Sequence, residues 1–160
     1  MSGKIFRGFT AALLAGAAAF LADAWSKAVL FDAITEEGAA FSYLNGFARS
    51  TLHHNYGISF NIPLPTWATL LITGLALGWA IAMLVERSRR GYLAACIVLG
   101  VVIGGVVGNV FDRITLGFVR DWLLLGGRSA INVADLLIAG SLLAWLILPS
   151  KQKGLTDEAV

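Results

Sequence analysis

Asp121 and Asp135 are the residues of this sequence best suited to do chemistry. Polar side chains lead into each within a largely apolar stretch: Asn109, Asp112 and Arg113 before Asp121, and Asn132 before Asp135. Two carboxylates brought within a few ångströms cannot both ionise cheaply, so one pKa rises and the pair holds a single proton. The ionised member can take a proton from water while its protonated partner polarises a carbonyl. Such a pair hydrolyses an amide without a metal or a nucleophilic side chain, and its protonation belongs to the pair rather than to either residue. Asp135 also has a simpler reading. Asn132 is well typed as a helix N-cap, which puts Asp135 in the first turn, where the helix dipole favours a carboxylate.

The other polar groups fall into clusters. Asn109, Asp112 and Arg113 are spaced i, i+3 and i+4 and share one helix face. Gly104, Gly105 and Gly108 beside them bring another backbone, or a ligand, close to that helix. Asp112 and Arg113 taken alone can simply mark the water interface. Asp23 and Lys27 also meet on one helix face, and a structural ion pair is their simplest reading. His53 and His54 are adjacent, point in different directions in any regular structure and have no third ligand at suitable spacing. No metal and no cofactor is expected. Cys96, the sole cysteine, sits in an apolar run as a packing residue and allows no intrachain disulfide. No G-x-S-x-G nucleophile motif is present.

These residues must be positioned by elements that live in lipid. The 160-residue chain is 58% hydrophobic and 14% charged, against about 25% charged for a soluble domain. A chain this small cannot bury so much apolar surface in one aqueous core. Its net charge of +2 is too mild to suggest nucleic acid. Apolar stretches at about 9–30, 67–85, 92–110 and 133–148 approach the roughly 20 residues a spanning helix needs. The last is short, so tilt or a thinned start is expected. The fold expected is all-α, integral to the membrane, with four transmembrane helices in one domain, 1–160. A small extracytoplasmic β-like segment lies between spans one and two, at about 31–66, with short strands in 41–62. Asp121, beyond Gly117, falls off the third helix.

Charge sets the orientation. Lys4, Arg7, Arg87, Arg89, Arg90, Lys151 and Lys153 gather on one face. The positive-inside rule puts both termini and the loop between spans two and three in the cytoplasm. The aspartates then face outward. The N-terminus imitates a cleavable secretory signal, but Asp23 and the apolar continuation through Trp25 and Leu30 argue against its removal.

Taken together, the motifs resemble those of bacterial lipoprotein signal peptidases (signal peptidase II). The resemblance rests on Asp23 and Lys27 ending span one, and on Asn55-Tyr56-Gly57-Ile58-Ser59-Phe60 before span two. It continues in Gly108-Asn109-Val110-Phe111-Asp112-Arg113, Val119-Arg120-Asp121 and Asn132-Val133-Ala134-Asp135. It implies an aspartic endopeptidase of the bacterial inner membrane that cleaves diacylglyceryl-modified prolipoproteins on the amino side of the lipidated cysteine. The catalytic dyad would be Asp121 and Asp135. Asn55, Gly57, Asn109, Arg113 and Asn132 would contact substrate or a peptide-like inhibitor such as globomycin. Asp23, Lys27, Asp112 and Ala134 would give structural support. Its partners would be the lipidated precursor and membrane lipids, and the enzyme would be a monomer. The chain departs from the family pattern in a short link between Asp121 and Asp135, in Arg120 and Ala24, and in the Ile58-Ser59 pair.

A different class remains open on residues alone: a non-enzymatic four-helix transporter whose buried Asp, Asn and Arg form an ion path. Such a path needs ionisable groups near mid-membrane on several spans, and spans two and three have none. A lipoprotein-binding paralogue differs from the enzyme only in turnover.

Overall fold

The computed structural model describes residues 3–31, 41–57 and 64–148. Small residues set the packing of its first helix. In α1 (Gly3–Ser26) the buried positions are Gly8, Ala12, Gly16, Ala19, Asp23 and Ser26, one stripe at helical spacing. α1 runs into a single π-helical turn, Lys27–Phe31. Strands β1 (Ser42–Tyr43) and β2 (Ala48–Asn55) follow, then helices α2 (Thr66–Arg90) and α3 (Leu93–Leu116). A hairpin of β3 (Val119–Leu125) and β4 (Ser129–Ile131) leads into α4 (Val133–Ile147).

α3 is the central helix and packs against each of the other three. Its contact with α1 is intimate because a Cβ at Gly100 would strike the carbonyl of Ala12, and one at Gly104 the carbonyl of Gly16. A Cβ at Gly105 would lie 3.2 Å from the Ala134 carbonyl on α4. The glycines thus admit neighbouring backbones, as small residues do in membrane helices. An apolar core of Ala12, Ala80, Leu84, Cys96 and Leu99 closes one end of the bundle. Leu13, Leu14, Leu75, Trp79, Leu146 and Ile147 stay exposed on the outside, the last two above 75%. So large an apolar exterior is what lipid, not water, tolerates.

The helices outrun the apolar stretches. α2 continues to Arg90, where Arg87, Arg89 and Arg90 complement the helix dipole and Gly91 at φ 76° stops it. α3 continues to Leu116, so Asp112 and Arg113 are helical residues. Among the described residues three helices are long and apolar enough to cross a membrane; α4, with 15 residues, is a shorter apolar helix.

The sheet corrects the expectation of β-structure confined to 31–66. It is antiparallel, in the order β1-β2-β3-β4, and half of it comes from the segment between α3 and α4. Asp121 lies off α3, as expected, because Gly117 ends that helix at φ 83°, and Gly126 and Gly127, both at positive φ, turn the chain back. Residues 58–60 of the motif before α2 and the C-terminal tail lie outside the described residues.

Candidate active site

The polar residues converge where α1, α3, β2, β3 and the start of α4 meet, at the end of the bundle opposite the apolar core. Asp121 lies on β3, one strand from Asn55 at the end of β2. The hairpin register pairs Leu123 with Ile131, which carries Asp121 to the level of the first residue of α4. The short link between the two aspartates is therefore a tight hairpin, and it brings them together.

Amides hold both carboxylates. Asn132 Nδ2 donates to Asp121 Oδ1 at 2.7 Å, and Asn55 Nδ2 to Asp121 Oδ2 at 3.0 Å. Asn109 Nδ2 donates to Asp135 Oδ1 at 3.0 Å. Asn132 also caps α4 reciprocally: its Oδ1 accepts from the Asp135 N–H, and its own N–H donates to Asp135 Oδ2. Asp135 is thus both a capping-box residue and a lining residue of the cleft described below, so its two sequence readings are compatible.

A charged cluster behind the amides fixes their orientation. The buried Lys27 ammonium meets Asp23 at 2.6 Å, Asn109 Oδ1 at 2.9 Å and Asp112 at 3.2 Å. By claiming the Asn109 carbonyl oxygen, Lys27 turns the amide NH2 of Asn109 toward Asp135. Arg120 adds a second cation on Asp112, at 3.0 Å, and its backbone N–H donates to the same carboxylate at 3.1 Å. Two carboxylates and two cations therefore balance without bulk water, the condition for keeping charge buried. Asp112 also ties β3 down one residue before Asp121. The other oxygen of Asp23 accepts from the Ala134 N–H at 2.9 Å, so α1 helps cap α4. The Asp23–Lys27 ion pair read from spacing is present, and spacing gave no sign of its contacts with Asn109, Asp112 and Ala134.

A cleft of about 130 Å³ opens beside this cluster, lined by Asn55, Asn109, Arg113 and Asp135 together with Thr69, Thr73, Val106, Val119 and Ile138. Arg113 donates to the Gly57 carbonyl at 2.7 Å and to the Asn109 carbonyl at 3.3 Å, so Gly57 is tied to α3 through its backbone. Gly57 N–H in turn donates to Asn55 Oδ1, which points the Asn55 NH2 at Asp121. Asp121 itself is fully buried. Burial, and then the charge of Asp135, push its pKa from 3.8 up to about 7, against the opposing pull of the Asn55 and Asn132 amides. His54 packs edge-on against Phe118, with ring centroids 4.2 Å apart, away from the aspartates. No group of three potential metal ligands occurs among the described residues. Thr69 and Thr73 were missed by sequence reasoning, because two threonines in a spanning helix carry no charge or motif to single them out.

An apolar helical bundle with two carboxylates held by one frame of amides beside a cleft at one end defines the class: a membrane-embedded hydrolase of aspartic type. The family model for signal peptidase (SPase) II matches residues 15–149. The chain belongs to the signal peptidase II family. It is 30% identical over 150 residues to a lipoprotein signal peptidase of Dichelobacter nodosus, covering 86% of this chain and 92% of that protein. It is 29% identical over 145 residues to one of Xanthomonas oryzae pv. oryzae, covering 86% and 84%. In fold it is similar to a bacterial membrane enzyme solved at 1.9 Å, with a TM-score of 0.74 at 19% identity, over 89% of this chain and 94% of that one.

Proposed function

We propose that the chain removes signal peptides from diacylglyceryl-modified prolipoproteins, cleaving on the amino side of the lipidated cysteine with water activated between Asp121 and Asp135. The observation that carries this reading is the shared amide frame. Asn132 bonds both aspartates, Asn55 bonds only Asp121, and Asn109 bonds only Asp135. Neither carboxylate has a cation within ion-pairing distance among the described residues, whereas Asp23 has Lys27 and Asp112 has both Lys27 and Arg120.

The resting pair shares one proton, with Asp121 acting as the acid and Asp135, on the cleft wall, as the base. A water held by Asp135 loses a proton to it and attacks the scissile carbonyl, whose oxygen takes the proton from Asp121. On collapse of the gem-diol Asp135 gives its proton to the leaving amine while Asp121 takes one from a gem-diol hydroxyl, so the pair ends as it began. Asn55, Asn109 and Asn132 hold the two carboxylates in place, and Arg113 with Gly57 forms the rim that meets the substrate. Asp23, Lys27, Asp112 and Ala134 support that frame. The enzyme acts as a monomer.

The enzyme works in the bacterial inner membrane with four spans, α4 being the fourth, and with both termini cytoplasmic. The scissile bond of a lipidated precursor is confined near the outer leaflet, where the site then lies. Asp121→Asn and Asp135→Asn, each purified in folded form, should lower cleavage of lipidated prolipoprotein by about 10²–10⁴-fold or more, the range of acid–base contributions. Cleavage at the parent rate by either variant overturns the dyad. Globomycin should block the parent enzyme in the same gel-shift assay.

A further inference from the structure

The α2 wall of the cleft holds a hydroxyl with nothing to bond. Thr69 is 1% exposed, and its Oγ1 has no hydrogen-bond partner among the described residues. A helical threonine ordinarily bonds back to the carbonyl four residues earlier, as Thr115 does to Phe111 at 2.8 Å. At Thr69 that carbonyl belongs to Pro65 and already accepts two backbone N–H groups, from Ala68 at 2.9 Å and from Thr69 itself at 3.2 Å. A carbonyl oxygen has two lone pairs, so both are taken. The proline that opens α2 thereby leaves the Thr69 hydroxyl unpaired in the same cleft that Asp135 lines.

Cleaving a bond within a membrane-embedded peptide requires that the peptide be extended there, because a helix shields its own carbonyls. Unwinding frees backbone N–H and C=O groups at a depth where water is scarce, and each needs a partner. We propose that Thr69 is a substrate-binding residue whose hydroxyl hydrogen-bonds the unwound backbone of the precursor beside the scissile bond, with Thr73, one turn further into the membrane, continuing the same wall. This assignment rests on the cleft beside Asp135 being the catalytic one. Asn55, Asn109, Arg113 and Asp135 line the same cleft but bond one another, Asp121 or Gly57, which leaves the Thr69 hydroxyl as a group with nothing to release before it meets a peptide.

The test compares purified Thr69→Val and Thr69→Ser enzymes on a lipidated prolipoprotein. Thr69→Val keeps the shape and removes the hydroxyl. It should raise KM about 3- to 10-fold, the loss of one hydrogen bond, with kcat within about twofold. Its thermal midpoint without substrate should be equal to or above that of the parent, since the hydroxyl has no partner to lose. Thr69→Ser should stay within about twofold of the parent in both constants. An unchanged KM in Thr69→Val overturns the proposal. So does a fall confined to kcat, which would place the hydroxyl on the attacking water, and so does a lowered thermal midpoint, which would make it structural. A shifted pH profile would show it acting on Asp135 and equally overturn it. Failure of the dyad reads out separately, as Asp135→Asn retaining activity.

Discussion

The proton on Asp121 is the residue-scale feature with the widest consequences. Burial is the largest influence raising its pKa to about 7, with Asp135 second, while Asn55 and Asn132 oppose both. If Asp121 must be protonated to act, kcat/KM should fall as pH rises, with an apparent pKa near 7 on the alkaline limb. The limb belongs to the pair and is read from a pH–rate profile. Asn55→Leu removes a donor that favours the ionised form, so its limb should move upward, by about one pH unit for one charge-assisted bond. A downward shift would contradict the assignment. Stability carries the opposite sign from an ordinary salt-bridged aspartate. The folded protein binds a proton that the unfolded chain has already lost, so stability declines as pH rises from about 4 to about 7. Asp121→Asn should therefore unfold at a higher temperature than the parent at pH 8 and should show less difference at pH 4.

At the scale of elements, the α1–α3 pair carries the site, because Lys27 joins the end of α1 to Asn109 and Asp112 on α3. Lys27→Met would leave Asp23 without its cation and Asp112 with Arg120 alone. Removing one partner of a buried pair costs about 3–5 kcal/mol, which a denaturation curve would show as an early transition. Arg90→Ala, which removes an exposed partner of Glu86 on α2, should leave the same curve essentially unchanged, because solvent screens that pair. The helices of this framework were legible in the sequence because long apolar runs have few alternatives in lipid. The polar residues were legible because each stands out against those runs. Strands β3 and β4 were not, since Val119–Leu125 shows no clean alternation of polar and apolar residues and only its pairing with β2 marks it as a strand. Arg120, set down as a departure from the family pattern, proves to be the second cation on Asp112, a contact that only the fold of β3 after Gly117 creates. Thr69 was silent for a related reason: its hydroxyl is conspicuous only once the Pro65 carbonyl is known to be saturated.

At the scale of the whole molecule, the arrangement is a bundle sealed by apolar packing at one end and opened by a polar cleft at the other. The basic residues Arg87, Arg89 and Arg90 end α2 beside the apolar core, while Arg128 lies in the β3–β4 turn at the cleft end. α4 is the weak point of a four-span topology, since 15 residues of helix span about 22 Å, against a hydrocarbon core of about 30 Å. The proposed orientation puts this basic end in the cytoplasm. Arg89 and Arg128 are both exposed, and Cys96, the one native cysteine, is fully buried. Arg128→Cys should therefore react with a membrane-impermeant maleimide in intact spheroplasts, and Arg89→Cys only after the membrane is permeabilised. Labelling of position 89 from outside would invert the orientation and put the cleft in the cytoplasm, where a peptidase acting on exported lipoproteins would not meet its substrate. Labelling of both positions from outside would leave no room for the α2–α3 turn on the cytoplasmic side and would remove the four-span reading altogether.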